Sequence, residues 1–515
     1  MKRFVISLFA LALCCVSVSA QQSKRQLIKK LDRVYQLIEN IYVEDTPLEP
    51  LAEEAIRATL KSLDPHSQYL TKEEMELSKR HLKGKFAGIG IKYIIHNDTL
   101  VVSSVIANSP AEQAHIEPND RIVAVDDQSI VGSDLATIQS LMSGKVGSHV
   151  TLTLLPASSN TPTTLKLRRE NIQNTTVVAL RIDSIGYISI STFSKPLASE
   201  FYQAYRELGD IKGLVIDLRD NGGGYLTSAL DLTSLFLAKG DAMLITQSKR
   251  REVVYDCKRD GLLKDIPLVV IINENSASAS EIFAGAIQDH DRGIIVGRTS
   301  FGKGLIQRNI EYKDGSGIRI TTARYKTPSG RPIQRPYIKG QSQAYHSDSV
   351  RFLHPDSISR DSSQIYTTLK LGRKVYADGG ITPDIYISTD SLKLSKEVAE
   401  SLSNAIIEHS IIEFWNPTIA AHLRECYPTA QQFAEEYTID TQLWDILFRR
   451  ANYTSESITH FEYNYLETML YMALAQRLYG IEAGYYINIS RKDYTAQRAI
   501  AIAADGYSIG KFNEE

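Results

Sequence analysis

The stretch Asn275-Ser276-Ala277-Ser278-Ala279-Ser280-Glu281 carries the most fold information in this 515-residue chain. It follows an apolar run at 266–272, which is typical of a strand buried on both faces of a sheet. It leads into an apolar-periodic segment at 281–288, which indicates a helix. A short turn of small residues between a buried strand and a helix predicts α/β structure.

A second strand-to-helix pair repeats this pattern, with an apolar run at 213–218 and a helical pattern at 226–237. The turn between them reads Asp217-Leu218-Arg219-Asp220-Asn221-Gly222-Gly223-Gly224. Its glycines would let backbone N–H groups approach a ligand, and they would equally serve a tight turn without any ligand. The two pairs together predict an α/β core over 171–395.

The first twenty residues have the layout of a secretory signal peptide. Lys2 and Arg3 give a charged start, an apolar run follows, and Val18-Ser19-Ala20 forms a small-residue end. Cleavage after Ala20 and export to the periplasm or cell envelope are therefore expected. This cleavage would also remove two of the four cysteines, and the sequence leaves open whether Cys257 and Cys426 pair.

Three further regions flank the core. Apolar residues recur at helical spacing near both ends of the chain, and short β-branched runs separated by turn residues fill the region between the first helices and the core. The predicted regions are a helical one at 21–83, a β-rich module at 84–170 with a helix at 135–142, and a helical domain of unassigned role at 396–515. A polar, Ser-rich stretch at 341–363 is interpreted as a surface insertion within the core.

Composition excludes several classes of protein. Hydrophobic residues make up 43% of the chain and charged residues 23%, which is unlike a disordered or polytopic membrane protein. The formal net charge of -2 gives no global field that would attract nucleic acid, so no nucleic-acid partner is expected. No His-Glu-x-x-His motif occurs, and we expect neither a metal nor a cofactor.

The serines of the 275–281 turn are candidate nucleophiles. A hydroxyl placed there would sit at a strand end, beside helix N–H groups that can stabilise developing negative charge. Plain helix capping is the alternative, because Ser278 with Glu281 also fits a capping box. Spacing alone does not choose among Ser276, Ser278 and Ser280.

A lysine provides the base that a serine nucleophile needs. Lys303 lies in Phe301-Gly302-Lys303-Gly304 with apolar residues on both sides, and an apolar setting lowers the pKa of a lysine. The segment's histidine, His290, lies in Asp289-His290-Asp291-Arg292, which is interpreted as a solvated turn and not as a metal site.

Taken together, these motifs resemble those of the carboxyl-terminal-processing peptidases, also called tail-specific proteases. The match includes the serine turn, the Asp217–Gly224 turn, Thr299-Ser300 with the lysine segment, and Ser62-Leu63-Asp64-Pro65-His66-Ser67 near the N-terminus. The resemblance covers roughly residues 30–390 and implies an α/β, crotonase-like serine protease core.

The resemblance also implies roles for particular residues. It selects Ser278 as the nucleophile and Lys303 as the general base of a serine–lysine dyad, with Gln307 orienting the lysine. Asp289 matches a further acidic position, whose role is structural or supporting. The oxyanion hole would use the backbone N–H of Ala279 and one from Gly223 or Gly224.

The 84–170 module resembles a PDZ domain. Its Gly88-Ile89-Gly90-Ile91 stretch matches the loop that holds a peptide's terminal carboxylate, while the peptide adds to the sheet as a strand. The prediction is therefore a serine endopeptidase that recognises free protein C-termini, with a homo-oligomer or an envelope adaptor protein as further partners. The alternative is a catalytically inactive PDZ-type adaptor or scaffold.

Overall fold

The structure is a computed structural model that describes residues 25–83, 85–159, 161–173, 175–341, 345, 362–377, 379–388, 394–454 and 456–506. The predicted signal segment and most of the Ser-rich stretch at 341–363 lie outside these residues. Within the described ranges, no helix combines the length and the hydrophobicity needed to cross a bilayer. The chain divides into two compact units.

Helices and strands occur throughout the described chain. The helices are α1 (25–41), α2 (Leu48–Lys61), α3 (Lys72–Lys83), α4 (Pro110–Gln113), α5 (Leu135–Met142), α6 (Leu197–Glu207), α7 (Leu226–Thr233), α8 (Ala279–Asp289), α9 (Lys396–Ser403), α10 (Ile406–Phe414), α11 (Pro417–Cys426), α12 (Ala430–Glu436), α13 (Thr441–Ala451), α14 (His460–Tyr479), α15 (Ile481–Arg491) and α16 (Tyr494–Ala504). The strands are β1 (Gln68–Leu70), β2 (Lys85–Gly88), β3 (Ile91–His96), β4 (Thr99–Val105), β5 (Arg121–Val125), β6 (Gln128–Ser129), β7 (His149–Leu155), β8 (Thr163–Arg168), β9 (Glu170–Gln173), β10 (Val177–Ile182), β11 (Ile185–Ile190), β12 (Gly213–Asp217), β13 (Ala242–Ser248), β14 (Glu252–Asp256), β15 (Leu268–Ile272), β16 (Ile294–Gly297), β17 (Leu305–Glu311), β18 (Gly317–Lys326), β19 (Ile365–Thr367), β20 (Lys374–Tyr376) and β21 (Ile385–Tyr386).

The smaller unit contains the described residues up to Lys72, with 308–321 and part of 337–345. Strand β1 pairs antiparallel with the start of β18, in the register Gln68 to Arg319. A turn follows α2, in which the Asp64 carboxylate accepts hydrogen bonds from the backbone N–H groups of His66 and Ser67, both at 2.9 Å. This buried carboxylate fixes the chain between α2 and β1.

The larger unit is built on a six-stranded sheet in the order β10-β11-β12-β15-β16-β21. Every neighbouring pair from β11 to β21 is parallel, and β10 is an antiparallel edge strand. Helices α6, α7 and α8 pack on one face of this sheet. Strands β12, β15 and β16 are buried at every position, as their continuous apolar runs predict.

The last helix, α16, covers the opposite face of the sheet. Its Ala496, Ala499 and Ile502 pack in one buried cluster with Val215 and Ile271 of the sheet. The helix comes so close that a Cβ on Gly213 would lie 2.8 Å from the carbonyl oxygen of Ala503. The C-terminal region, whose role the sequence left open, thus supplies half of the cover that a parallel sheet needs.

An ion-pair network joins α16 to the end of strand β12. Arg219 Nη2 lies 2.5 Å from Asp217 Oδ2 and 2.6 Å from Asp493 Oδ2. Asp493 also accepts the backbone N–H of Ala496, which caps α16. Tyr187 donates its hydroxyl to the same Asp217 at 2.5 Å. The Asp-Leu-Arg motif is therefore a structural tie between the core and the C-terminal helices.

The β-rich module has the predicted strands and its helix at 135–142. Its sheet runs β3-β4-β5-β7-β8, with β6 beside β5, so β3 is an edge strand. A buried cluster under helix α5 forms a core of its own. The mixed architecture of helical N-terminal region, PDZ-like module, α/β core and helical C-terminal region is confirmed.

Polar contacts join the PDZ-like module to the C-terminal helices. Asn119, buried before β5, donates its side-chain amide to the carbonyls of Ile412 and Trp415 at 2.8 and 2.9 Å. It also accepts from Arg477 at 2.9 Å. These contacts satisfy carbonyls at the end of α10, which would otherwise lack partners, and they fix the module against this helix.

Within the described part of the chain, Cys257 and Cys426 are both free. Burial, with the Asp241 and Asp256 carboxylates nearby, raises the pKa of the Cys257 thiol to about 11. Cys257 therefore carries no reactive thiolate at neutral pH.

Candidate active site

The serine turn connects the buried strand β15 to α8, and its three serines have different surroundings. Ser276 Oγ donates to the carbonyl of Leu218 at 2.8 Å, and Ser280 Oγ donates to the carbonyl of Asn221 at 2.9 Å. Both side chains are buried, whereas Ser278 is partly exposed. Two of the hydroxyls thus hold the turn to the Asp217–Gly224 loop, and the third is accessible.

The backbone of Ser278 is strained. Its φ of 56° with a ψ of -109° is a conformation that a residue with a side chain rarely adopts. Such strain costs on the order of 1–3 kcal/mol and persists only where the surroundings enforce it, most often at functional sites. Ser278 also immediately precedes Ala279, the first residue of α8, whose N–H has no partner within the helix.

The segment that contains Lys303 is joined to the serine turn by a backbone hydrogen bond. The backbone N–H of Phe301 donates to the carbonyl of Ser276 at 2.9 Å. On the other side, the Arg335 N–H donates to the Gly302 carbonyl at 2.9 Å, and the Gly304 N–H donates to the Gln334 side chain at 2.9 Å. Lys303 is therefore held in a backbone that is fixed on both sides, next to the serine turn.

One buried carboxylate, that of Glu281, joins the two segments. Its Oε2 accepts the backbone N–H of Ser278 at 2.8 Å and that of Lys303 at 2.9 Å. Its Oε1 accepts the N–H of Gly302 and the hydroxyl of Ser300, both at 2.6 Å. Burial raises the pKa of Glu281, while these four donors act in the opposite direction. The sequence assigned Glu281 to helix capping and missed this role.

The signal that could have identified Glu281 is its position on α8. It lies three residues after Ser278, within a helix that is buried at every position. A glutamate on such a helix needs internal hydrogen-bond donors, and the glycine-flanked lysine segment is a ready source of backbone N–H groups. The bond to the Ser278 N–H is half of the predicted capping box, and the other contacts require the tertiary fold.

The glycine loop lies directly against the serine turn. A Cβ on Gly223 would lie 2.9 Å from both the Ala279 nitrogen and the Ser278 Cβ, so only glycine fits there. The Gly223 N–H itself donates to Asn221 Oδ1 at 2.9 Å, whereas the loop continues through Gly224, at φ 154°. The structure places Gly223 beside Ser278 and Ala279, with its N–H engaged within the loop.

Asp289 lies at the far end of α8, where its buried side chain contacts Arg331. Arg331 Nη2 lies 2.9 Å from Asp289 Oδ1, and both side chains are fully buried. Asp289 Oδ2 accepts the backbone N–H of Ser329 at 2.9 Å. Arg331 in turn donates to Gln288 Oε1 at 2.7 Å. This arrangement supports the structural interpretation of Asp289.

The interpretation of Asp289-His290-Asp291-Arg292 as a solvated turn is wrong. His290 is buried, with Nε2 2.7 Å from the carbonyl of Ala242. Asp291 pairs with Arg373 at 2.7 Å, and Arg292 donates to the carbonyls of Phe236, Leu263 and Ile266. Polar composition suggested exposure, but these side chains satisfy carbonyls at the ends of neighbouring elements.

The Gly88–Ile91 stretch links β2, which ends at Gly88, to the edge strand β3, which begins at Ile91. The carbonyl of Ile89 accepts the N–H of Ala111, and the carbonyl of Gly90 accepts the N–H of Ile106. Gly90 has φ +87°, and a Cβ there would collide with the Ser109 side chain at 2.1 Å. Glycine is thus required at this position, and the edge of β3 is available for pairing with a further strand.

Comparison with known proteins finds family models that match several parts of the chain. Residues 184–342 match the model of peptidase family S41, residues 101–156 match that of a PDZ domain, and residues 15–74 match the N-terminal domain of the activating protease CtpB. A carboxy-terminal-processing protease of Bartonella bacilliformis is 35% identical over 336 residues, covering 64% of this chain and 77% of the relative. The carboxy-terminal processing protease CtpB of Bacillus subtilis is 33% identical over 362 residues, covering 69% and 74% respectively.

Proposed function

This chain belongs to peptidase family S41, the carboxy-terminal processing serine proteases, and from that premise we propose that it cuts polypeptides through an acyl-enzyme formed on Ser278. Lys303 takes the proton from the Ser278 hydroxyl as the nucleophile attacks, and it later returns that proton to the leaving amine. Gln307, on β17 four residues after Lys303, orients the lysine. Water then hydrolyses the acyl-enzyme by the same proton transfers in reverse order.

The observation that carries this proposal is the Glu281 carboxylate. It binds the backbone of the strained serine and the backbone of the lysine through the same oxygen atom. Two residues that are 25 positions apart in sequence are thereby held at one point of the fold. Ser276 and Ser280 are occupied in structural hydrogen bonds, which leaves Ser278 as the hydroxyl suited to attack.

Backbone N–H groups beside Ser278 are proposed to stabilise the oxyanion. The Ala279 N–H opens α8, where the helix dipole favours negative charge. The second donor comes from the glycine loop that lies against Ala279. Because the Gly223 N–H is engaged by Asn221, either Gly224 supplies this donor or Gly223 exchanges its bond when substrate binds.

The PDZ-like module is proposed to capture free C-termini of protein substrates. Backbone N–H groups of Gly88–Ile91 would hold the terminal carboxylate while the peptide pairs with β3.

To test this, two loosely folded substrates are compared that share an apolar C-terminal sequence and differ only in a free or an amidated terminus. The amidated substrate is expected to show a kcat/KM that is lower by about 10- to 100-fold, since it lacks the charged hydrogen-bond acceptor. Equal values would contradict recognition of the carboxylate.

The same cleavage assay is repeated in the presence of a chelator. Since the proposed chemistry uses a serine and a lysine, EDTA is expected to leave the rate unchanged. Strong inhibition would instead indicate that a metal takes part.

Replacing Glu281 by Gln is expected to lower kcat by about 100-fold with little change in KM. The substitution replaces one carboxylate oxygen by an NH2 donor. Either the two backbone N–H groups at Oε2, or the Gly302 N–H and the Ser300 hydroxyl at Oε1, then lose their acceptor, so the serine and lysine segments shift apart. KM should stay unchanged because the Glu281 side chain is fully buried and cannot contact substrate. Steady-state kinetics measure both constants.

The control for that variant is Glu252→Gln, which changes an exposed glutamate on β14. Its kcat and KM should equal those of the unmodified protein. A Glu281→Gln protein that is folded by circular dichroism and retains its kcat would show that Glu281 does not position the dyad.

Export to the periplasm or cell envelope is part of the proposal. It rests on the signal-like pattern that ends at Ala20, and N-terminal sequencing of the mature protein should read Gln21 first. A mature chain that still begins at Met1 would contradict export by this route. A homo-oligomer and an envelope adaptor protein remain the proposed partners besides substrate.

A further inference from the structure

A cavity of about 740 Å³ lies outside the serine–lysine site, between the core sheet and the C-terminal helices. Its floor is formed by residues at the carboxyl ends of β11, β12, β15 and β16, including Ser189, Asp217, Asn273 and Arg298. In open parallel sheets this is the edge at which ligands bind. Its volume is in the range of sites that bind small ligands or short peptide segments.

The opposite wall of the cavity is one face of helix α14. Phe461, Tyr465, Met469 and Met472 recur at helical spacing and line the cavity. All four remain partly exposed, although neighbouring positions of the same helix are buried in the C-terminal core. Methionine side chains are flexible and polarisable, so they adapt to apolar groups of different shape.

The two guanidinium groups in the cavity wall are already paired with carboxylates. Arg298 pairs with Glu274 at 2.7 Å, and Arg219 pairs with both Asp217 and Asp493. Asp220 and Lys492 also line the cavity, and the Asp220 carboxylate accepts hydrogen bonds from the side-chain amides of Asn273 and Asn275. An anionic ligand such as a phosphate would have to displace a carboxylate from each guanidinium group. What the wall offers instead are apolar side chains together with the uncharged amides of Asn275, Gln476 and Asn488. This combination suits an extended peptide, which presents backbone amides and apolar side chains.

The cavity is also close to the serine turn. Asn275, which lines it, precedes Ser278 by three residues. Three residues of chain span at most about 11 Å, so the edge of the cavity at Asn275 lies within about three substrate residues of the nucleophile.

We propose that this cavity binds the stretch of substrate polypeptide next to the scissile bond, taking an apolar side chain against the methionine wall of α14. The proposal rests on the proposed function, because it assigns a peptide-binding subsite to the same reaction. It also gives the C-terminal helices a part in substrate selection, in addition to covering the sheet. Substrates with an apolar residue about three positions from the cleavage point would be preferred.

The first test fills the cavity by the double substitution Met469→Trp and Met472→Trp. KM for a loosely folded protein substrate is expected to rise about tenfold, because the wall can no longer accept a side chain. The rate at which a small fluorophosphonate labels the active serine should stay within about twofold, because the probe does not extend so far. The control is Asn464→Trp, which adds the same bulk to α14 outside the cavity lining.

An unchanged KM in the filled variant would overturn the proposal. If the rates of protein cleavage and of probe labelling both fall, the substitutions have disturbed the serine site. A second measurement then decides whether the cavity binds substrate. A 12-residue apolar peptide carrying a p-benzoylphenylalanine is photo-crosslinked to the Ser278→Ala protein, and the adducts are mapped by mass spectrometry. Adducts on α14 at Phe461–Met472 support the site, and adducts confined elsewhere overturn it. Because crosslinking needs no catalysis, it still tests the cavity if the proposed protease activity is absent.

Discussion

Replacing Ser278 by Ala is expected to abolish proteolysis while leaving the fold intact, and Lys303→Ala should do the same. Without the hydroxyl no acyl-enzyme forms, and without the amine no group is present to accept its proton. Loss of a catalytic nucleophile or its base typically costs at least about 10⁴-fold in kcat. Cleavage of a loosely folded substrate, followed by gel electrophoresis, measures the effect.

The fold should survive both substitutions because neither side chain is part of the buried core. The backbone contacts of the Ser278 and Lys303 N–H groups with Glu281 remain available in the alanine variants. Full activity in either variant would contradict the dyad. An unmodified protein that bound C-termini and cut no substrate would instead match the alternative of a PDZ-type adaptor.

Ending the chain at Lys492 is expected to prevent stable folding of the core. This truncation removes α16 and exposes the sheet face formed by Val215 and Ile271, together with their neighbours. It also leaves Arg219 without its Asp493 partner. Re-exposing each fully buried aliphatic side chain of that face costs roughly 1.5–3 kcal/mol, and several together are a large share of the stability of a typical domain.

The matched control ends the chain at Gly506, which keeps α16 whole and removes only residues beyond the described structure. That protein should unfold at the same temperature as the full chain. Thermal denaturation followed by circular dichroism compares the two. A chain ending at Lys492 that unfolds cooperatively at an unchanged temperature would show that the C-terminal helix is dispensable for the core.

The elements that the sequence predicted well are those with strong local patterns. The helix at 135–142 occurs with the predicted bounds, and the apolar runs predicted as buried strands at 213–218 and 266–272 contain β12 and β15. The serine turn was also placed correctly between strand and helix, since a continuous apolar run and a small-residue turn identify it locally.

What the sequence missed depends on contacts between distant residues. The role of Glu281 requires backbone N–H groups from about 20 positions away, which no local pattern reveals. The apolar stripes of the C-terminal helices favoured packing on the core or oligomerisation, but they did not indicate that α16 in particular covers the sheet, because its small apolar residues form only an ordinary helix stripe. The Asp289–Arg292 turn was misjudged for a similar reason, since its charged side chains find their partners on distant elements.

The central claim, that Ser278 is the nucleophile activated by Lys303, is tested most directly by covalent labelling with a fluorophosphonate and peptide mapping by mass spectrometry. We expect a single adduct on Ser278, which is retained in folded Ser276→Ala and Ser280→Ala proteins and lost in Lys303→Ala. An adduct on Ser276 or Ser280, or labelling of Ser278 that proceeds at the same rate without Lys303, would contradict it.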